Sequence, residues 1–396
     1  MSRASTHQLW IVVHRYLGLT TLGFLFIAAV TGCFLCFDKA IDAKLNPDLF
    51  SASSVGVQID PIDAVTKFEA RHPGIEVVSF PLRTAVGHTI ELGVTSRNSA
   101  SPLGFDQAFL DPHDGHLVGT RKLEPGWGRR HLVEGVFQFH YTLLAGTWGR
   151  WIMGLAALGW LVGNVVGFYL TLPLTKPFWR RWKRMWKIDG RAKLRRFMLD
   201  LHRASGLWLF IGVVVLAFTS VCMNFFDEAF TPAVEAISPA RESPFDQPEP
   251  EILSKQPIGF SKALKEANAA ALADGVQWKP AKLSYIGSRD LYGLMFTPSG
   301  VENYRWLGPI TYYVSGADGH LEYIDSPYSD SAGRKLSRSL YPLHSGEVIG
   351  PIGVAIIFLL GLATAEMCVS GVYTWWKKRQ SRLETNRLRQ SSAGSS

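Results

Sequence analysis

Residues 14–37, HRYLGLTTLGFLFIAAVTGCFLCF, return at residues 202–226 as HRASGLWLFIGVVVLAFTSVCMNFF. A constant offset of 188 sets His14 on His202, Arg15 on Arg203, Gly18 on Gly206, Leu19 on Leu207, Thr31 on Thr219 and Phe37 on Phe225. Each copy is an apolar run long enough to cross a bilayer, with a His-Arg pair at its mouth. A second set of matches lies at an offset of 204. It sets Asp114-Gly115-His116-Leu117 on Asp318-Gly319-His320-Leu321, Arg130 on Arg334, His140 on His344, Gly167 on Gly371 and Tyr169 on Tyr373. The chain reads as a tandem duplication whose second copy carries about 16 extra residues between its two sets of marks.

An apolar content of 47% in 396 residues is high for a soluble enzyme and directs attention to spans. Four emerge: Leu17 to Phe37, Trp151 to Leu174 and Leu207 to Phe226 carry no charge, and Val348 to Trp376 carries only Glu366. The connector from Pro173 to Leu201 holds ten Lys or Arg, and the tail after Trp376 holds six more. The long loops, Asp38 to Arg150 and Asp227 to Glu347, each hold 11 basic residues against 13 and 16 acidic ones. The positive-inside bias then places both termini and the connector in the cytoplasm and both loops outside. The net charge of +8 is a topology signal, and nucleic acid is not an expected partner.

Val30-Thr31-Gly32-Cys33 resembles a lipoprotein cleavage box, but its duplicate is internal and the apolar run continues to Phe37. The four cysteines, Cys33, Cys36, Cys222 and Cys368, all fall inside spans, so no disulfide framework is expected in the loops. Trp179, Trp182 and Trp186 in the connector suggest a helix in the headgroup layer.

Each loop carries the pattern of a small α+β domain. In the first, Pro61 to His72 is helical by spacing. Strands follow at Ile75 to Leu82 and His88 to Thr95, and Ala108 to Leu110 with His116 to Thr120 flank the turn Asp111-Pro112-His113-Asp114-Gly115. In the second, Phe260 to Ala273 is the helix. Ala281 to Ile286 and Leu291 to Thr297 are strands, and Ile310 to Val314 with His320 to Ile324 flank the turn ending at Gly319. Pro239 to Pro257 reads as an irregular inserted linker.

The fold expected is a membrane α-helical protein: a four-helix transmembrane bundle from two tandem pseudo-symmetric repeats, each with an exported α+β domain. Its divisions are a first transmembrane helix (1–37), exported domain (38–139), second helix (140–174), basic connector (175–201) and third helix (202–226). A second exported domain (227–343, insertion 239–257), fourth helix (344–376) and tail (377–396) complete it.

A helix followed by strands and a D-P-x-x-G-type turn resembles the PepSY domain. The wider order of span, loop, span, His-Arg at the odd spans, and Gly-x-Tyr with trailing Trp and Lys/Arg resembles the PepSY-associated transmembrane family up to about Arg379. The second turn departs from it in lacking the proline found at Pro112. The resemblance implies a bacterial inner-membrane protein linked to iron uptake, similar to FoxB-type ferrisiderophore reductases, which carry two b-type haems.

The duplication bears on the histidines independently of that likeness. Each repeat holds an even number of spans, so both enter the membrane in the same direction and equivalent residues share a depth. His14 and His202 then face each other at the cytoplasmic mouths, and His140 and His344 at the outer edge. A haem iron takes two opposed axial ligands, which facing helices supply. Gly18 and Gly206 lie one turn from His14 and His202 and leave room for a macrocycle. The length of the first span keeps His14 and His140 from sharing one metal, so two haem b centres are expected.

Two readings of Arg15, Arg203, Arg130 and Arg334 stand, as partners of haem propionates or, for Arg15 and Arg203, as positive-inside anchors. Four ordinary interfacial histidines are the plainer alternative for the pairs. Glu366 is the single acid inside a span, open to a proton-accepting role, a bond to His14 or His202, a quinol contact, or a structural pair with Arg15 or Arg203.

Function is expected to be that of a di-haem reductase passing electrons from the cytoplasmic side to a ferric siderophore or other ferric chelate, releasing Fe(II). The siderophore step rests on the resemblance. No phosphate-binding loop and no Gly-x-Gly-x-x-Gly after a strand occurs, so electrons are expected from a quinol or a cytoplasmic reductase. The other reading is a non-enzymatic membrane anchor whose exported domains bind or restrain another protein.

Overall fold

Helix α1 (Arg3–Leu35) runs unbroken through the first apolar stretch. The computed structural model describes residues 3–52, 56–98, 100–250, 254 and 256–393. The Pro-rich linker expected at 239–257 therefore lies partly outside the described residues. After α1 come α2 (Asp38–Leu45), α3 (Pro47–Phe50) and α4 (Pro61–Arg71), then strands β1 (Ile75–Pro81), β2 (Ile90–Ser96), β3 (Gln107–Leu110) and β4 (Leu117–Arg121). The chain returns through α5 (Leu132–Thr142) and α6 (Gly146–Thr171), and the connector carries α7 (Phe178–Trp182).

The second half begins after the connector. Helices α8 (Leu194–Trp208), α9 (Phe210–Asn224), α10 (Thr231–Glu235) and α11 (Phe260–Ala273) precede β5 (Lys279–Ile286), β6 (Leu291–Thr297), β7 (Ile310–Ser315) and β8 (Leu321–Asp325). Helices α12 (Ala332–Ser345) and α13 (Pro351–Ala393) close the chain.

Helices α1, α6 and α13 are long and apolar enough to cross a membrane. The third expected span is a bent pair instead: α8 and α9 meet at 72°. Leu209 interrupts the helix with φ −104° and ψ 8°, and Gly206 and Gly212 flank it with no side chain to stiffen either turn. The pair makes a fourth crossing if it is one span. Helix α1 packs on α6 and α13, α6 packs on α9, and α8 packs on α13.

The second span, Trp151 to Leu174, lies almost wholly in α6, but the expected helix 140–174 is divided. His140 ends up on α5, a separate helix, because Leu143 and Leu144 adopt positive φ and break the helix before Gly146.

The two loops, read from sequence as two domains, share one eight-stranded antiparallel sheet in the order β4-β3-β2-β1-β5-β6-β7-β8. Strands β1 and β5 join the halves through Ser79 opposite Ser284, Phe80 opposite Leu283 and Pro81 opposite Lys282. One face is covered by α4 and α11, and the core runs across the join: Phe68, Phe80, Leu92, Leu283, Leu294 and Tyr312 share it with Ala263 and Ala267. The short alanine side chains of α11 let the helix lie close to the sheet, and the alternation of buried and open positions in β1, β2 and β5 follows from burying one face. Gly115 and Gly319 take positive φ (72° and 90°) in the two matched turns, where a side chain would be strained.

Polar contacts tie the sheet and its loops to the segments around the helices. Arg121, nearly buried, meets Asp42 of α2 at 2.8 Å, Asn46 Nδ2 donates to the Arg129 carbonyl, and the Tyr304 N–H donates to Glu347 at 3.0 Å.

The connector departs from a single headgroup helix: α7 spans only five residues. Its Trp182 Nε1–H donates to Thr171 Oγ1 at 3.3 Å, which ties it to the end of α6. The four cysteines are free thiols.

Candidate functional site

Two histidine pairs form, at opposite ends of α1. His14 on α1 and His202 on α8 stand 6.4 Å apart between ring centres, at the connector end. His140 on α5 and His344 on α12 stand 6.3 Å apart, at the sheet end. From His14 to Thr31, which touches His140, is about 25 Å along the helix at 1.5 Å per residue, so no single ion serves both pairs.

Every ring has its Nδ1 engaged. His14 Nδ1 is 3.1 Å from the Gly163 carbonyl, and His202 Nδ1 is 3.0 Å from the Met367 carbonyl and 3.1 Å from Ser370 Oγ. A carbonyl only accepts, so both rings carry their proton on Nδ1. His140 Nδ1 lies 2.9 Å from Thr31 Oγ1, and His344 Nδ1 3.1 Å from Thr219 Oγ1. With the proton on Nδ1, the Nε2 atoms of His14 and His202 carry the lone pair.

These residues fit a metal centre of the bis-imidazole kind. Two imidazoles bound on opposite sides of one ion, at about 2.0 Å each, place their ring centres about 6.3 Å apart, and metal-bound histidines characteristically donate the second ring N–H to a carbonyl or another acceptor. Direct edge-to-face packing of two rings spans about 4.5–7 Å, so the separation admits both arrangements.

Close approach depends on glycines. A Cβ on Gly167 would lie 3.0 Å from His14 Cε1, and one on Gly371 3.4 Å from His202 Cε1. Gly18 has open space where a Cβ would sit, and a Cβ on Gly206 would meet only the Met367 sulfur, at 3.7 Å.

Three of the arginines have carboxylate partners, while Arg130 Nη1 and Arg334 Nε are buried with no hydrogen-bond partner among the described residues. Arg203 donates to Asp200 Oδ1 at 2.7 Å and to the Met185 carbonyl at 3.1 Å, which pins the connector to α8. Arg130 pairs with Asp48, and Arg334 with Asp325 at 3.0 Å. Arg15 lies in the field of Lys378 on α13.

Glu366 stands beside the Ser205 and Ser370 hydroxyls, but neither of its buried carboxylate oxygens reaches hydrogen-bond geometry with any described residue. The expected alternative of a pair with Arg203 is not met, since that guanidinium is turned to Asp200. Ser370 separates Glu366 from the His202 ring.

Among the described residues one group of three metal-type ligands closes up: Asp111, Asp114 and His116, with donor atoms within 4.8 Å of one another. Asp114 Oδ1 is already committed to the His116 N–H and ring, as in an ordinary turn.

Sequence reasoning missed Thr31, Thr219, Gly163, Met367 and Ser370 as histidine partners. The signal was present for two of them, since Thr31 and Thr219 match at the offset of the histidine-bearing helices.

Residues 11–378 match the family described as PepSY-associated TM region. No match was found among curated proteins.

Proposed function

This chain belongs to the family of PepSY-associated TM regions, and from that premise we propose that it is a di-haem b reductase of the bacterial inner membrane. In this reading the connector and the helix ends beside it lie in the cytoplasm and the sheet in the periplasm, which the distribution of basic residues supports. The two halves descend from one duplicated unit. His14 with His202 and His140 with His344 hold one haem each. The observation that carries the reading is that two separate pairs, at either end of α1, have nearly the same ring spacing, with every Nδ1 engaged by a neighbouring oxygen.

Haem bound at the two pairs supplies one-electron transfer across the bilayer. The chain's own residues hold the four imidazoles in one tautomer, keep the two centres apart on α1, and present the sheet above the outer pair. A ferric chelate reduced at that face loses iron because Fe(II) suits hard oxygen donors less well than Fe(III). The donor is a quinol or a cytoplasmic reductase.

A second reading has its own support. The family match concerns the membrane region with its PepSY-like part, and both exported loops build one continuous sheet, which suits an anchored platform that binds or restrains another exported protein.

A reduced-minus-oxidised spectrum of detergent-purified protein, with haem stoichiometry, separates the two. Two b-type haems per chain and reduction of an added ferric chelate support the reductase. Colourless protein overturns it and leaves the anchor.

A further inference from the structure

We propose that Thr31 and Thr219 are positioning residues for the His140–His344 pair: their hydroxyls accept the Nδ1–H bonds that orient those imidazoles and set the redox potential of that centre separately from the other. The inference rests on the haem reading above and extends it to residues that touch neither the metal position nor a substrate.

A hydroxyl has one proton to give. Thr31 Oγ1 is 2.7 Å from the Ile27 carbonyl, and Thr219 Oγ1 is 2.9 Å from the Val215 carbonyl, one turn back in each helix. With that proton directed to the main chain, the oxygen can meet a ring nitrogen only as an acceptor. The Nδ1 atoms at 2.9 and 3.1 Å therefore carry the hydrogen, and Nε2 is left as the ligand atom. Donating to a carbonyl also polarises the hydroxyl and makes it a better acceptor.

The bond recurs. Thr31 and Thr219 are equivalent at the offset of 188, and His140 and His344 at the offset of 204, so the same side-chain contact is made twice between diverged halves. Packing by chance gives no reason for such recurrence. Thr219 is buried, so its contact with His344 is not a surface encounter.

The His14–His202 pair is held in another way. Its main acceptors are the carbonyls of Gly163 and Met367, which no side-chain substitution removes. Only the outer pair has its Nδ1 acceptors on side chains in both halves. The Ala28 carbonyl lies close to His140 and offers it a second acceptor, so Thr219 is the cleaner position to vary.

An acceptor on Nδ1 raises the basicity of the bound nitrogen, which favours the ferric over the ferrous state. Removing it raises the potential of that centre. The experiment is a spectroelectrochemical titration of the full chain in detergent, as wild type, Thr219→Val, Thr219→Ser and Thr31→Val. Valine keeps the shape without the acceptor, and serine keeps the acceptor.

Wild type is expected to titrate in two steps. Thr219→Val is expected to move one step positive and leave the other in place, and Thr219→Ser to return it. Thr31→Val is expected to act in the same direction and by less. Loss of one of the two haems in Thr219→Val, restored in Thr219→Ser, also supports the assignment. Two haems with both steps unmoved, or with both moved equally, overturn it. Wild-type protein that binds no haem overturns the parent reading and this one with it.

Discussion

Ser79 on β1 stands opposite Ser284 on β5, and this register makes one sheet from two distant parts of the chain. Beside them Phe80 and Leu283, both with 0% exposure, pair across the same join, and Phe80 packs edge-on against Phe260 of α11 at 5.0 Å. The hydrophobic layer is therefore continuous between the halves. Phe80→Ala is expected to cost about 3–5 kcal/mol, as for a large side chain removed from a closed core. Both halves of the sheet should lose protection together, because the void opens at their shared strands. Hydrogen exchange resolved by peptide checks this. Faster exchange confined to residues 57–121 would show two independent domains.

The histidines group by pair and not by helix. His14→Ala and His202→Ala should each remove the same haem, and His140→Ala and His344→Ala the other, so each single variant retains one haem per chain. A double variant within a pair should match its single variants, while one drawn from both pairs should retain none. Pyridine haemochrome assays on purified protein give the count. Four variants with unchanged content would show that the rings pack on each other without a ligand.

Much of this arrangement was legible from two offsets. Runs without charge marked the spans, matched histidines marked the pairs, and the strands lie within a few residues of the alternating stretches. Three features were not legible, each for a physical reason. The 72° bend at Leu209 occurs inside an apolar run with no charge or proline to mark it, and glycines at 206 and 212 permit a bend without requiring one. The join of β1 to β5 is a non-local pairing, and the alternation of either strand says which face is buried but not which strand lies alongside. The partners of Arg130, Arg203 and Arg334 are Asp48, Asp200 and Asp325, acids in segments without a repeat mark, so no offset pointed to these pairs.

Glycine at 167 and at 371 should not respond alike to substitution. A methyl group at 167 would sit 3.0 Å from His14 Cε1, tighter than ordinary contact, while one at 371 would sit 3.4 Å from His202 Cε1. His14 is held to the carbonyl of Gly163, one turn away on the same helix, so it has little freedom to withdraw without lengthening that bond. Gly167→Ala is expected to broaden or shift the spectrum of the haem proposed at His14 and His202 or to lower its occupancy severalfold, and Gly371→Ala to leave it near wild type. Equal tolerance at both positions would mean that the His14 ring is not fixed by its neighbours.

Alkaline pH should weaken the sheet through its tyrosines. Burial pushes Tyr313 up to about 12, with the Asp325 carboxylate adding to it, and burial pushes Tyr292 up to about 12 as well. Tyr312 is raised by burial and by the bond its hydroxyl donates to Asp274 at 2.8 Å. Each folded phenol keeps its proton where the unfolded chain, titrating near 10, has released it. The associated stability is complete below pH 10 and declines as pH rises toward 12. Thermal unfolding in detergent, followed by circular dichroism alongside tyrosinate absorbance, should show the midpoint falling over that interval while absorbance lags behind that of the unfolded chain. Tyr312→Phe removes one of these groups and one charge-assisted hydrogen bond. It is expected to cost about 1–2 kcal/mol at neutral pH and to make the alkaline decline shallower. A decline of unchanged steepness would place the titrating groups elsewhere.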